Sequence, residues 1–348
     1  RIGDYQEDTK TFVGYFPKHE FSGYAQDSWK VARRLTLEIG SRFQHQGWMY
    51  ESHGWMYGFD AKQYDPTASI SSLTGLLSRH LGWNGPRSVW KTPALLVAPR
   101  LGFAYDLTGR GNTVIRGGAG VFKYADQSQD VFAAIENPPL MRSTYHCCGL
   151  ELKDVENFNP AVAKSNLTVL GPNEDKVPTT YSWSLTLSHR LPSATVLEAS
   201  YVGNSSSHQI FCNDCGANLN AVPEGAMFGF PLGTDANNYR PFQNYGTIAV
   251  RSHGLSQNYN SLQITASRQT GRVNYSAAYT FSKTMGVGGA SAGGASDAFD
   301  HKRRSYGVLS YDRTQLLSVT YNIMLPGAFR QPVAKAALNG WQVSGISQ

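Results

Sequence analysis

The stretch LVAPRLGFAYDLTGRGNTVIRGGAGVFKY, residues 96–124, is compatible with two very different structures. The glycines in TGRGN and RGGAG are typical of a loop that wraps a phosphate group. The alternation of polar and apolar residues in RLGFAYDL is typical of a β-strand with one polar and one apolar face. The first interpretation predicts a nucleotide-binding protein, and the second predicts a strand of an amphipathic sheet.

The glycine spacing argues against phosphate binding. After Gly109 and Gly111 the third position of a G-x-G-x-x-G motif is Val114, and no G-x-x-x-x-G-K-[ST] motif occurs in the chain. The segment before these glycines is amphipathic, whereas a dinucleotide-binding unit begins with a buried apolar strand. The sequence therefore favours a β-hairpin in which glycine supplies the positive φ that the turn TGRGN needs.

The composition indicates an all-β protein. Of 348 residues only 16% are charged, while 35 are glycine and 12% are aromatic, as expected for amphipathic strands with many turns. The net charge of +6 is scattered, and HKRR at 301–304 is the one dense basic run. We therefore predict no nucleic-acid partner. No apolar run approaches the ~20 residues of a transmembrane helix.

Segments with period-two alternation recur along the chain in pairs, and most pairs are joined by a short connection. The pairs are 21–30 with 35–44, 99–107 with 113–124, 180–190 with 195–203, 259–268 with 273–283, and 314–325 with 340–347. Long segments without this periodicity separate them, near 47–98, 125–178, 204–257 and 284–313, with a short helix predicted near 69–80.

This rhythm predicts an antiparallel transmembrane β-barrel with short periplasmic turns and long extracellular loops. A soluble antiparallel sandwich also alternates, but its turns are spaced more evenly. The strand segments are close to the ~9–11 residues that a tilted strand needs to cross the hydrocarbon. The residues expected to face lipid are Leu35, Leu37, Ile39, Leu101, Phe103, Tyr105, Leu185, Leu187, Tyr275, Tyr279, Leu317 and Val319.

The loop stretch GWMYESHGWMYGFD contains the sequence GWMY twice, at 47–50 and 54–57. Exposed tryptophan and tyrosine side chains stack on flat ligands and are enriched at binding surfaces. We predict ligand contacts for the aromatic residues of this repeat, Trp48, Tyr50, Trp55 and Tyr57. The alternative is that they anchor the loop.

The four cysteines form two local pairs, Cys147 with Cys148 and Cys212 with Cys215. A zinc site needs four ligands, and the chain has no second C-x-x-C; a redox motif needs a following helix, which the flanking sequence does not predict. We therefore expect disulfides in an oxidising compartment.

The sequence shows no signature of an enzyme. An HExxH motif is absent, and we predict no enzymatic activity, no metal site and no cofactor. The charged pairs Asp312 with Arg313 and Arg100 with Asp106 are interpreted as ion pairs of a barrel lumen.

Five stretches resemble, in order, the barrel of TonB-dependent outer-membrane receptors, especially the Oar-like branch with a carboxypeptidase-regulatory-like domain. They are FSGYAQDSWKVARRLTLEIGSRFQ, APRLGFAYDLTGRGNTVIRGGAGVFKY, TYSWSLTLSHRLPSATVLEASYVGNSSSH, YNSLQITASRQTGRVNYSAAYTFSKT and the LPGAF…LNGWQVSG end. The resemblance covers most of the chain, and the long loops are least alike.

The resemblance implies a barrel of about 22 strands, of which residues 1–348 supply roughly ten. It also implies a plug domain and an N-terminal regulatory-like domain, both expected to lie outside this chain. The implied partners are outer-membrane lipid, the plug, TonB and an unknown solute such as a siderophore, oligosaccharide or peptide. The implied location is the cell outer membrane. A soluble β-sandwich that binds carbohydrate is the alternative.

Overall fold

A computed structural model describes residues 2–8, 13–124, 129–151, 153, 164–211, 218–231, 234–287, 306–327, 331 and 339–348. In chain order the strands are β1 (Ile2–Asp8), β2 (Glu20–Ala32), β3 (Leu35–Gln46), β4 (Gly58–Phe59), β5 (Leu76–Leu77), β6 (Leu96–Asp106), β7 (Thr113–Lys123), β8 (Ser143–Leu150), β9 (Ser165–Leu170), β10 (Thr179–Arg190), β11 (Thr195–Phe211), β12 (Tyr245–Arg268), β13 (Val273–Val287), β14 (Tyr306–Val308), β15 (Gln315–Met324) and β16 (Gln342–Ser347).

Helical structure is confined to short pieces in the described part of the chain. One α-helix, α1, spans Gln129–Phe132, and the 3-10 turns are Ala61–Gln63, Ile70–Ser72, Arg79–Leu81, Ala133–Ile135 and Ala236–Tyr239. No helix among the described residues is long and apolar enough to cross a membrane.

The long strands form one antiparallel meander with the order β16-β15-β13-β12-β11-β10-β7-β6-β3-β2. All five predicted pairs are present, and the all-β prediction is confirmed. β11 and β12 are longer than predicted, because they continue together into the segment 204–257. Within the described ranges no ladder joins β2 to β16, so each of these two strands keeps an unpaired edge.

The prediction of a short helix near 69–80 is wrong. The region contains two separate 3-10 turns and the short strand β5. Leu73 has a φ of 54° and Gly75 a φ of 86°, and such left-handed residues end a right-handed helix.

The turn TGRGN is a hairpin turn, as predicted. Gly109 and Gly111 have φ angles of 72° and 73°. The carboxylate of Asp106 accepts hydrogen bonds from the N–H groups of both glycines, at 2.9 Å and 2.8 Å. Asp106 therefore stabilises the turn and is not an ion-pair partner of Arg100, which lies over the Phe122 ring at 4.7 Å.

The register places two kinds of side chain on opposite sides of the meander. One row across β3, β6, β7, β10, β11, β12 and β13 runs Leu37, Phe103, Gly117, Leu185, Tyr201, Leu262 and Phe281. We call the side that carries this row the apolar face. The next row runs Glu38, Gly102, Gly118, Ser184, Val202, Ser261 and Ser282, on the side we call the polar face.

All residues predicted to face lipid lie on the apolar face, and this face is open. Leu101 and Leu185 are 59% and 51% exposed. On the polar face the side chains crowd one another, and Ser261 and Ser282 are only 3% and 5% exposed. This difference in exposure between the two faces indicates that the sheet curves toward its polar side.

Aromatic side chains cover glycines on the neighbouring strand of the apolar face. The directly opposed pairs are Phe103 with Gly117, Trp183 with Gly203, and Tyr321 with Gly345. A Cβ atom added to Gly117 would lie 2.4 Å from the ring of Phe103. The ring thus occupies the place of a side chain, and it shields backbone that glycine leaves bare.

We expect Gly117→Val to destabilise the sheet by about 1–3 kcal/mol, because the new side chain displaces the Phe103 ring. Urea unfolding in lipid vesicles, followed by heat-dependent gel mobility, measures this change. Gly23→Val is the matched control, since a Cβ atom at Gly23 has no neighbour within 4 Å. Equal unfolding midpoints for the two variants would contradict the role of the ring.

Candidate functional site

The long connections fold into a compact layer at the end of the meander opposite the short turns. β4 pairs with β5 and β9, and β9 runs parallel to the first part of β12. We call this unit, built from residues 47–95, 129–142, 165–178, 218–231 and 234–256, the loop layer. The predicted loops are therefore not irregular throughout.

Two apolar clusters form the core of the loop layer. The first consists of Trp48, Met49, Met56, Val89, Trp90, Leu96, Val131, Ala134, Ile135, Leu170 and Val177. The second consists of Tyr57, Phe59, Leu76, Leu167, Val169, Tyr245 and Ile248. Residues far apart in the chain meet here, so the layer is a folded unit with its own core.

Buried asparagines tie the loops of this layer together. Asn220 is fully buried, and its amide donates to the carbonyl oxygens of Phe242, Tyr245 and Gly246 and accepts from the N–H of Phe242. Each bond satisfies a backbone polar group of the loop layer.

Glu51 is a fully buried carboxylate of the loop layer. It accepts hydrogen bonds from the N–H groups of Tyr15, His53 and Trp55 and lies 2.8 Å from Nδ1 of His53. Burial raises the pKa of the Glu51 carboxyl, but the hydrogen bonds from His53, Trp55 and Tyr15 outweigh it and leave the pKa below the ordinary 4.5. The ionised form is thus the one that the folded loop prefers.

Because the folded-state pKa of Glu51 is lowered, its contribution to stability is present at neutral pH and is lost as the pH falls through that pKa. We expect the loop layer to loosen on acidification below pH 4.5. Limited proteolysis of the detergent-solubilised protein across this pH range measures the loosening. Glu51→Gln is expected to remove much of the pH dependence, and an unchanged pH profile in this variant would assign the acid sensitivity elsewhere.

The structure separates the four aromatic residues of the GWMY repeat. Trp48 and Tyr57 are 3% and 0% exposed and belong to the core of the layer. Tyr50 and Trp55 are partly exposed: the Arg87 guanidinium lies 5.5 Å from the Tyr50 ring centre, and Trp55 stacks on His53. Burial supports the anchoring alternative for Trp48 and Tyr57. Ligand contact stays a prediction for Tyr50 and Trp55.

The cysteine prediction is not tested by the described residues. Cys212 and Cys215 lie outside them, as does HKRR at 301–304. Cys147 and Cys148 lie on β8, with their side chains outside the description. In the part of the chain that is described, no group of three or more His, Cys, Asp or Glu residues is placed to hold a metal ion.

The polar face is a wall of hydroxyl groups along β10 and β11. Thr186 and Ser200 share a hydrogen bond of 2.8 Å across the two strands, as do Thr180 and Ser206. Such side chains both donate and accept, so the wall suits contact with water or with another polar surface.

Two of the depressions in the described part of the chain lie on the polar face. One, of about 410 Å³, has the glycines Gly40, Gly102 and Gly118 in its lining, with Arg100 and Arg116 beside them. The other, of about 450 Å³, is lined by residues of β11, β12, β13 and the segment before β15. The sequence did not predict the second depression, although it drew attention to Asp312 and Arg313 in the segment beside it.

Asp312 and Arg313 do not form the predicted ion pair. The Asp312 carboxylate lies 3.1 Å from the Lys283 ammonium group. Arg313 instead lines the second depression.

A family model for an outer membrane beta barrel domain matches residues 2–348. The chain belongs to this outer-membrane β-barrel family. Membership assigns the chain to the cell outer membrane, as predicted. The soluble β-sandwich alternative is not supported, since a sandwich buries its apolar face against a second sheet, and here that face is exposed.

Solved structures of outer-membrane receptors are similar to this barrel at low identity. The alcaligin receptor FauA of Bordetella pertussis has 11% identity and a TM-score of 0.43, covering 90% of this chain and 35% of its own. The ferripyoverdine receptor of Pseudomonas aeruginosa has 10% identity and a TM-score of 0.44, covering 91% and 27%. The ferric-catecholate import receptor Fiu of E. coli K12 has 9% identity and a TM-score of 0.42, and the match covers 89% of this chain and 33% of the Fiu chain.

This barrel chain thus spans only 35%, 27% and 33% of those three receptor chains. Among curated proteins none matches it at a significant level.

Proposed function

We propose that this chain forms part of the barrel wall of a TonB-dependent transporter of the Oar-like branch. In this role it contributes to the uptake of a large or scarce solute, such as a siderophore, an oligosaccharide or a peptide. The observation that carries the proposal is the division of the meander into an exposed apolar face and a hydroxyl-rich polar face. Membership of the outer-membrane barrel family and the five stretches of sequence resemblance support it.

The apolar face is proposed to contact the lipid of the outer membrane. Side chains such as Leu101, Leu185 and Leu317 are more than half exposed, and they extend over many strands. An exposed apolar surface of that extent is unfavourable in water. In hydrocarbon it is favourable, and the ladders between strands satisfy the backbone groups that lipid cannot.

The polar face is proposed to face the lumen and a plug domain. Hydroxyl groups such as those of Thr186 and Ser200 are already paired with each other, so the wall is stable without a partner. It can therefore hold a removable domain through weak polar contacts, which a pull by TonB on the plug would break. No group in this wall needs to do chemistry, because the proton gradient of the inner membrane drives transport through TonB.

The loop layer is proposed to receive the solute from outside the cell. Tyr50 and Trp55 offer partly exposed rings on a unit whose core holds them in place. Rings fixed in this way bind with little loss of conformational entropy.

The assignment of the faces is tested with two neighbouring residues of β10. Leu185→Arg places a charge on the proposed lipid face and is expected to cost about 2–4 kcal/mol near the bilayer midplane, so that outer-membrane assembly falls sharply. Ser184→Arg places the same charge on the polar face, beside Gly118, where a long side chain has room. Outer-membrane fractionation measures both variants, and equal loss in both would refute the assignment.

The transport role is tested in the bacterium that carries the full-length gene. We expect deletion of the gene, deletion of TonB and collapse of the proton gradient each to stop depletion of the same solute from the medium. Untargeted mass spectrometry of the medium identifies that solute, and Trp55→Ala is expected to slow its uptake. Depletion that continues without TonB would contradict the proposed mechanism.

A further inference from the structure

The segment 309–314, which precedes β15, is fastened to β13 by its backbone. The N–H of Ser282 donates to the carbonyl of Thr314 at 2.9 Å, and the Ser282 hydroxyl donates to the carbonyl of Arg313 at 2.7 Å. A segment held in this way keeps its side chains in fixed directions.

The side chain of Asp312 also holds this segment against β13. Its carboxylate accepts from the N–H of Thr284 at 2.6 Å and from the Thr314 hydroxyl at 2.9 Å, and it lies 3.1 Å from the Lys283 ammonium group. The bond from the Thr284 N–H, with those from Thr314 and Lys283, lowers the pKa of the Asp312 carboxyl despite burial. Asp312 therefore stays ionised at neutral pH and keeps the segment in place.

The residues on either side of Asp312 line the second depression of the polar face. Tyr311 and Arg313 come from the fastened segment, and Asn204, Gln257 and Tyr259 come from β11 and β12. The Tyr311 hydroxyl donates to Oε1 of Gln257 at 2.5 Å, which links the segment to the wall. A cavity of about 450 Å³ lies within the range of small-molecule sites.

We propose that this cavity binds a carboxylated oligosaccharide, and this inference rests on the proposed role in solute uptake. The lining combines two phenol rings with carboxamide and hydroxyl groups and has Leu316 as its one aliphatic residue among those described. Flat rings cover the apolar faces of sugars. Amide and hydroxyl groups both donate and accept, as sugar hydroxyls do.

Arg313 supplies the preference for a negative charge. Its guanidinium donates to the backbone carbonyl oxygen of Asp312 at 3.1 Å, while the carboxylate of Asp312 forms an ion pair with Lys283. No acidic side chain occurs in the lining described for the cavity. A sugar carboxylate can therefore form charge-assisted hydrogen bonds with Arg313 without a competing acidic side chain in the lining.

A peptide fits this cavity less well than a sugar. Extended peptides are recognised by adding a strand to an unpaired sheet edge, with pockets for apolar side chains. β11, β12 and β13 each have a strand partner on both sides, so they offer no such edge here.

The experiment uses the full-length protein in detergent and isothermal titration with trisaccharides. The carboxylated probes are trigalacturonate, trimannuronate and 3′-sialyllactose, and the neutral counterparts are galactotriose, mannotriose and 3′-galactosyllactose. We expect at least one carboxylated probe to bind about tenfold or more tightly than its counterpart. Arg313→Gln is expected to abolish that difference, and Tyr311→Ala to weaken binding of both members of the pair.

The matched control variants are Arg110→Gln, in an exposed turn at the opposite end, and Tyr201→Phe, whose hydroxyl bonds to Asn260, with neither residue in the described lining of the cavity. Both are expected to bind as the wild type does. The site proposal is overturned if no carboxylated probe is preferred, or if Arg110→Gln loses the preference as Arg313→Gln does. Heat-dependent gel mobility confirms that each variant is folded.

Failure of this inference is distinguishable from failure of the transport role. If another solute is depleted in a TonB-dependent way and none of these probes binds, the proposed saccharide site is refuted and the proposed transport role stands. If the probes bind in a way that depends on Arg313 but the cells show no TonB-dependent uptake, the proposed site stands and the proposed transport role is refuted.

Discussion

The pairing of backbone N–H and C=O groups between strands is the constraint on which this structure depends. In hydrocarbon no water can satisfy those groups, so each membrane strand needs a neighbour on both sides. The meander meets this need by joining consecutive strands, β6 to β7 and β10 to β11, through short turns. Once the ladder is fixed, the side chains must alternate between two faces, and the separation into an apolar and a polar face follows.

The loop layer buries its apolar side chains, whereas the sheet exposes its apolar face. Its core is apolar and buried, with Trp90 and Ile248 at 1% and 0% exposed, as in a soluble domain. Buried polar groups such as Asn220 and Glu51 then hold loops that have no regular ladder. The same chain thus uses a buried apolar core at one end and an exposed apolar face along the sheet, because the surrounding solvent differs.

The polar face is divided along the sheet. Around β3, β6 and β7 it has glycines with Glu38, Arg100 and Arg116, and around β11 to β13 it has amides, hydroxyls and tyrosines. The first region offers close approach of a partner's backbone. The second offers side chains that match a polyol, held in place by the fastened segment 309–314.

The sequence by itself determined the hairpins, their order and their two faces, because period-two alternation and turn glycines such as Gly109 are local signals. It also indicated which side chains share the apolar face, Leu101 and Leu185 among them, since side chains of a strand alternate between two faces. Only the tertiary structure decided that Trp48 and Tyr57 are core residues, that β11 and β12 extend into the loop layer, and that Asp312 pairs with Lys283. Each of those outcomes depends on groups distant in the chain that meet only on folding, and local periodicity carries no information about such contacts.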